Sequence, residues 1–305
     1  MPDAGTPGAE AAVDGGVLVA GGRAGLRVMA RWFKTRTLTT RVALAILAVY
    51  ALMGLFGTWL APYSPTAFDM KVLLKPPSWQ HPFGTDGFGR DVFSRVIAGT
   101  GTILVLSLSA TTLGVGVGAA IGLASGYKAG RTDEFIMRVM DVLMALPTLL
   151  LALLILTALG SLKGNLVFGI GVVFVPRSAR VARSAVLALR NLGYIEAARL
   201  RGDRPARILV VEVLPNVREV VGVEFSLRFA YSLLLISSLG FLGLGVQPPE
   251  PDWGQMIGDG RNFITVAWWT VLFPAIAIGW LVVAVNHLAD GLWQDRTRLA
   301  SARLI

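Results

Sequence analysis

Apolar residues fall into long runs that short charged segments separate. The runs lie at residues 42–60, 103–125, 142–162, 164–176, 220–246 and 266–288. A helix needs about 20 mostly apolar residues to cross a bilayer, so the fourth run is long enough only if its helix continues through Arg177, Arg180 and Arg183. The pattern predicts an all-α, polytopic membrane protein with about six transmembrane helices.

Composition favours a membrane protein over a soluble one. Only 15% of the 305 residues are charged, against roughly 25% in soluble domains. Cysteine is absent, which excludes disulfides and thiol chemistry. The two histidines, His81 and His287, lie far apart in the sequence, so we expect no metal site.

Basic residues predict the orientation. The formal net charge is +9, and most basic residues collect in segments 23–41, 128–138, 177–218 and 296–303. With six spans these segments share one side, and basic loops face the cytoplasm. We therefore expect both termini in the cytoplasm, and contact of the basic residues with the lipid bilayer rather than with nucleic acid.

The same reading predicts the order of segments along the chain. Residues 1–22 are rich in Ala and Gly and lack basic residues, which favours a disordered tail. The expected order is a cytoplasmic segment at 1–40, the first helix at 41–60, an external, proline-rich loop at 61–95, a core of five helices at 96–292 and a cytoplasmic tail at 293–305.

Residues 190–215, between the fourth and fifth spans, carry the most informative pattern. Ala and Leu favour a helix over residues 194–201, and Gly202 suits the left-handed turn that ends a helix. Asp203 is expected to cap a second helix, with Pro205 in its first turn. The spacing E-A-A-x3-G-x5-I-x5-L-P across this segment predicts a helix–turn–helix elbow.

Other motifs accompany the elbow: H-P-F-G-T-D at 81–86, G-R-D-V-F-S-R at 89–95, A-L-P at 145–147 and S-L-G-F-L-G-L-G-V-Q-P-P at 238–249. Together these segments resemble the inner-membrane permeases of ABC importers, in particular the C-type subunit of dipeptide, oligopeptide and nickel uptake systems. The resemblance extends over nearly all of residues 40–293 and implies the type I ABC importer permease fold. Arg201 departs from it, because the family generally has Leu before this glycine.

The resemblance implies a complex in the bacterial inner membrane whose energy comes from other chains. A second, B-type permease would form a heterodimer with this one, two ATPase subunits would bind ATP and Mg, and an extracytoplasmic substrate-binding protein would deliver the substrate. This chain would bind no cofactor and catalyse no reaction, since it has no G-x-x-x-x-G-K-[ST] phosphate loop. The implied ATPase-coupling residues are Tyr194, Glu196, Ala197, Ala198, Arg201, Gly202 and Asp203.

Two groups of charged residues admit two interpretations each. Asp86, Arg90 and Asp91 in the external loop could contact the binding protein or gate the path, but we favour capping and neutralisation of a helix end. Glu224 and Arg228 lie four residues apart on one helix face. Ionisable groups within a membrane are costly and often functional, so this pair is either self-neutralising or part of a gate.

Two more features have both a structural and a functional interpretation. They are Asp252 and Trp253, between the fifth and sixth spans, and the glycines of the second span. Asp252 and Trp253 could lie where the binding protein docks. The glycines of the second span favour static close packing against a neighbouring helix over a sliding contact.

The expected function is therefore that of a permease subunit of an ATP-driven importer of di- or oligopeptides. Nickel import by a permease of the same family is the nearest alternative. An ion-coupled secondary transporter, a different class, would show inverted repeats and several polar sites within the membrane, and neither is evident in the sequence.

Overall fold

The computed structural model describes residues 38–301, with side chains described as far as Gly291. The predicted tail at 1–22 lies outside the described residues. The elements follow in order: α1 (Leu38–Leu60), a 3-10 turn (Met70–Val72), α2 (Val92–Lys128), α3 (Gly130–Met144), α4 (Thr148–Leu159), α5 (Lys163–Leu189), α6 (Gly193–Leu200), α7 (Pro205–Arg207), a π-helical segment (Ile208–Val213), α8 (Leu214–Phe241), α9 (Trp253–Gly260), a second 3-10 turn (Arg261–Phe263) and α10 (Trp269–Ser301).

The described helices confirm most of the predicted spans. Five of them are long and apolar enough to cross a membrane, when α7, the π-helical segment and α8 are taken together, and a sixth exists if α3 and α4 form one span. The fourth predicted helix does continue through its three arginines and ends at Leu189. The last helix runs to Ser301, so the expected tail at 293–305 begins as helix.

The third predicted span, at 142–162, is wrong as a single helix. α3 and α4 meet at an angle of 87°, with the break at residues 145–147. Pro147 explains the break, because proline lacks the N–H that a continuing helix needs and its ring clashes with the preceding turn. α4 begins afresh at Thr148.

Glycines bring α2 and α5 together at the centre of the fold. Gly114, Gly118, Gly122 and Gly126 recur every four residues and so share one face of α2. A Cβ atom added at Gly114 would lie 2.7 Å from the backbone oxygen of Gly171. Only small residues allow two helix backbones to approach this closely, so the structure shows the close packing that the sequence favoured.

The buried apolar residues form two clusters at different levels of the bundle. The larger cluster includes Leu156, Leu166, Ile170, Leu233 and Leu239, and it fills the space between α2, α4, α5, α8 and α10. The smaller one, which we call the elbow cluster, consists of Val186, Ile195, Ala198, Ile208, Val213 and Val217. Because α5 and α8 contribute to both clusters, they connect the elbow mechanically to the core.

Candidate functional site

The elbow, residues 193–207, has the geometry that the sequence predicts at Gly202. This glycine has φ +80° and follows α6. Its N–H donates to the carbonyl oxygen of Arg199 at 3.0 Å, and the N–H of Asp203 donates to that of Ala198 at 3.2 Å. These two bonds form a Schellman motif, which satisfies the last carbonyls of the helix and needs a left-handed residue.

α6 has one face packed against the protein and one face exposed. Ile195 and Ala198 are fully buried in the elbow cluster, and the guanidinium of Arg199 lies 4.9 Å from the ring centroid of Tyr127 on α2. The predicted coupling residue Ala198 therefore lies on the packed face. The exposed face presents Tyr194, Glu196, Ala197, Leu200 and Arg201, and Leu200 is 84% exposed.

The structure contradicts the expected role of Asp203 as a helix cap. The N-cap of α7 is Arg204, which makes no side-chain cap bond, while Pro205 is the first helical residue as predicted. Asp203 Oδ2 instead accepts from Arg201 Nη2 at 3.0 Å. Arg201 also lies 3.7 Å from a carboxylate oxygen of Glu212. Its guanidinium is therefore positioned between two carboxylates of the same chain.

At the opposite end of the bundle, which we call the loop end, residues 61–91 form a turn-rich segment joined by internal polar contacts. Asp86 accepts hydrogen bonds from the backbone N–H of Arg90 at 2.9 Å and from its Nε at 2.7 Å. Arg95 Nε lies 3.8 Å from Oδ2 of Asp86. Arg95 is 1% exposed and donates to the carbonyl oxygen of Pro65 at 2.9 Å. Asp86 is therefore engaged by two buried arginines of the same chain.

Asp91 is the N-cap of α2, as the structural interpretation predicts. Its Oδ2 accepts from the backbone N–H of Ser94 at 2.8 Å, and its Oδ1 lies 2.9 Å from Nδ1 of His81. Both Asp91 and Arg90 are buried. The ion pairs and the cap occupy the groups that were candidates for contact with a partner.

Asp252 and Trp253 are also buried, at 6% and 1% exposure, so their predicted place on a docking surface is wrong. Asp252 caps α9 by accepting from the N–H of Gln255 at 2.9 Å, and Trp253 Nε1 donates to the carbonyl oxygen of Val96 at 3.0 Å. Burial raises the pKa of Asp252 above the ordinary aspartate value, and the backbone donors Gln255 and Val246 act in the opposite direction.

Glu224 and Arg228 form a buried ion pair within α8, with 2.9 Å between Oε1 and Nε. Ser178 on α5 donates to the same Glu224 oxygen at 3.2 Å, and the Arg228 guanidinium lies 4.9 Å from the ring centroid of Tyr231. The sequence indicated the pair but not the contact with Ser178, because that contact joins two helices that are far apart along the chain. Among the described residues no group of His, Cys, Asp or Glu side chains could hold a metal ion.

Comparison with known proteins shows the family of the chain. A model of the family described as binding-protein-dependent transport system inner membrane component matches residues 116–294. The chain belongs to this permease family. The matched region contains the elbow, the α3–α4 break and the Glu224–Arg228 pair.

Individual relatives agree with the family. The chain is 41% identical over 245 residues to a di/tripeptide transport system permease protein, DppC, of Pseudomonas aeruginosa, covering 78% of this chain and 81% of the relative. It is 38% identical over 251 residues to a dipeptide transport system permease protein, DppC, of Alkalihalophilus pseudofirmus, covering 82% and 83%. It is 38% identical over 263 residues to a glutathione transport system permease protein, GsiD, of Escherichia coli, covering 86% of both. The permease is thus a multi-pass inner-membrane transport subunit.

Proposed function

We propose that this permease forms half of the translocation path of an ATP-driven peptide importer and that its elbow docks on a separate ATPase subunit. The observation that carries the proposal is the two-faced α6. One face is anchored by Ile195 and Ala198, while Tyr194, Leu200 and Arg201 remain exposed. An exposed leucine beside a tyrosine and an arginine has the composition of a protein-binding surface.

The anchoring explains how force would reach the spans. The elbow cluster joins α6 to Val186 of α5 and Val217 of α8, and Arg199 holds it against Tyr127 of α2. Close-packed interiors transmit displacement rather than absorb it. Movement of the elbow by closing ATPases would therefore move the ends of α2, α5 and α8 together.

The remaining partners follow from the same proposal. A second, B-type permease completes a heterodimer, two ATPase subunits bind ATP and Mg, and an extracytoplasmic binding protein delivers the substrate. The elbow then faces the cytoplasm together with both termini, which agrees with the basic residues gathered in segment 177–218. This chain itself binds no cofactor.

Peptides are the proposed substrate because the named relatives transport dipeptides, tripeptides and glutathione. Nickel is the alternative within the family. Uptake of radiolabelled alanyl-alanine and of nickel by proteoliposomes, each supplied with the cognate binding protein, distinguishes the two.

Substitution of Gly202 tests the coupling role. A Cβ atom at Gly202 would meet no heavy atom within 4 Å, so Gly202→Val acts only through the strain of φ +80°, about 1–2 kcal/mol. The last turn of α6 will change shape and the exposed face will tilt. Because the exposed face is the proposed docking surface, we expect ATP-driven uptake to fall about tenfold or more, the factor that a loss of about 1.4 kcal/mol in docking affinity would give, while the protein still inserts.

Gly243 provides a matched control at the other end of α8. It has φ +83°, open space around a Cβ atom, and the same Schellman bonds, from its own N–H to Gly240 and from Leu244 to Leu239. Gly243→Val carries the same strain but should retain uptake within about twofold. Equal loss in both variants, or normal uptake with Gly202→Val, would contradict docking at the elbow.

A further inference from the structure

The break between α3 and α4 forms one wall of an open cavity, in which residues 144–148 and Arg177 are exposed. Its volume is about 380 Å³, and its lining consists of mostly apolar residues at positions 143–148, 151, 173 and 174, together with Arg177 and Arg228. Ligand-binding cavities commonly measure about 300–1,000 Å³ and combine apolar walls with a few polar groups. This cavity fits that description.

Both arginines lie within long helices rather than at a helix end. Arg177 is near the middle of α5, about 20 Å from either end at about 1.5 Å per residue. Arg228 lies about the same distance from the end of α8 at Phe241. Ionisable residues within membrane-crossing helices are costly and are often functional.

The charges around the cavity do not cancel. Glu224 pairs with Arg228, with 2.9 Å between Oε1 and Nε. Arg177 forms no ion pair in the described part of the chain, and it repels Arg228 electrostatically. Two positive charges therefore face one negative charge, and the site has the potential to attract an anion.

Backbone donors add to the positive potential. α4 begins at Thr148 in the cavity wall, and the first N–H groups of a helix have no acceptor within it. No side chain caps this end. A helix N-terminus carries a partial positive charge that favours anions, and half-helices that start inside a membrane bind anionic substrate groups in this way.

We propose that Arg177, Arg228 and the N-terminus of α4 form a carboxylate-binding site in the translocation path, occupied by the C-terminal carboxylate of a peptide during passage. The inference rests on the proposed import of peptides. Arginine suits the role because its planar guanidinium binds a carboxylate through two parallel hydrogen bonds.

A matched pair of substrates tests the site. Proteoliposomes that contain the complete transporter and internal ATP receive binding protein loaded with alanyl-alanine or with its C-terminal amide, and uptake is normalised to the loaded binding protein. We expect Arg177→Gln to lower uptake of alanyl-alanine roughly tenfold, the effect of one lost charge-assisted hydrogen bond, and to leave uptake of the amide unchanged. Arg177→Lys, which keeps the charge, should recover most of the lost uptake.

Arg138→Gln is the control for the loss of a positive charge. Arg138 lies on α3 with its side chain 75% exposed, outside the cavity, and its variant should transport both peptides normally. Equal loss of both peptides with Arg177→Gln would overturn the proposal. Unchanged uptake of both would overturn it as well.

A second measurement does not depend on the selectivity of the binding protein. Phenylglyoxal modifies accessible arginines, and mass spectrometry reports the modification of Arg177 by itself in the assembled complex. Alanyl-alanine should protect Arg177 about threefold or more, as expected for a site that is mostly occupied, and the amide should not. Equal protection by both overturns the carboxylate site, and so does absence of protection. If wild-type proteoliposomes import neither peptide, the proposed substrate fails, and the protection of Arg177 still decides the inference.

Discussion

The two ends of the helix bundle use polar residues in opposite ways. At the loop end, the carboxylate oxygens of three aspartates contact arginine, histidine and backbone N–H groups of the same chain. These aspartates are Asp86, Asp91 and Asp252. At the elbow end, Tyr194, Glu196 and Leu200 are exposed on α6. One end is closed by its own contacts, whereas the other presents a surface.

The contrast shows that a polar motif has to be judged by its partners and not by its composition. Both ends carry charges beside glycines and prolines. Buried polar groups are satisfied within the chain because an unpaired one costs about 1–3 kcal/mol, and a satisfied group has little left for another protein. The exposed face of α6 has no such constraint, so it is the better candidate for an interface.

The largest expected effect is at the loop end, with Trp253→Ala. Trp253 is 1% exposed and contacts Tyr50 of α1 with ring centroids 6.0 Å apart. Loss of a buried aromatic side chain costs about 3–5 kcal/mol, so thermal unfolding of the purified complex should shift downward strongly. Trp253→Phe, which keeps most of the volume and loses only the bond to Val96, should shift it much less. If Trp253→Ala left unfolding unchanged while uptake failed, the loop end would be an interface after all.

The sequence predicted the helical class, most spans and the elbow, because these depend on apolar runs and on residues close together in the chain. Gly202 is an example, since a local turn requires its conformation. The broken third span was missed because its apolar run is continuous across Pro147. The role of Asp203 was missed because the competing cations, Arg201 and Arg207, became partners only once the turn had formed. The burial of Trp253 depends on Val96, and the sequence alone does not show that contact.

Leu200→Asp should have the next largest effect, at the elbow end. Leu200 is 84% exposed, so the change should alter stability by no more than about 0.5 kcal/mol. On an apolar contact with an ATPase, however, a buried unpaired carboxylate would lower affinity about tenfold or more. Pull-down of ATPase subunits with a tagged permease in detergent measures this loss.

Trp79→Asp is the matching change at the loop end. Trp79 is fully exposed in residues 61–91, so it too loses exposed apolar surface and gains a carboxylate. ATPase recovery should stay at the wild-type level. Equal recovery with Leu200→Asp and the wild type would remove the exposed face of α6 from the interface.

The smallest effect is a pH dependence that separates burial from capping at Asp252. Burial raises its pKa, so the folded protein binds this proton more tightly than the unfolded chain does. Stability from this group must therefore increase as the pH falls through the raised folded pKa, and level off below the unfolded value of about 3.9. Asp252→Asn removes the titration, so the wild type should gain in unfolding temperature relative to this variant as the pH falls from about 7 to about 4.

Asp252→Ala separates the cap from the charge. It removes the acceptor for the N–H of Gln255 and should lower stability by about 1 kcal/mol, whereas Asn can still accept that bond. If the wild type instead lost stability relative to Asp252→Asn as the pH fell, the backbone N–H groups would outweigh burial. The ionised carboxylate would then be the form that the fold stabilises, and the loop end would be held together by charge-assisted capping rather than by apolar packing around an acid.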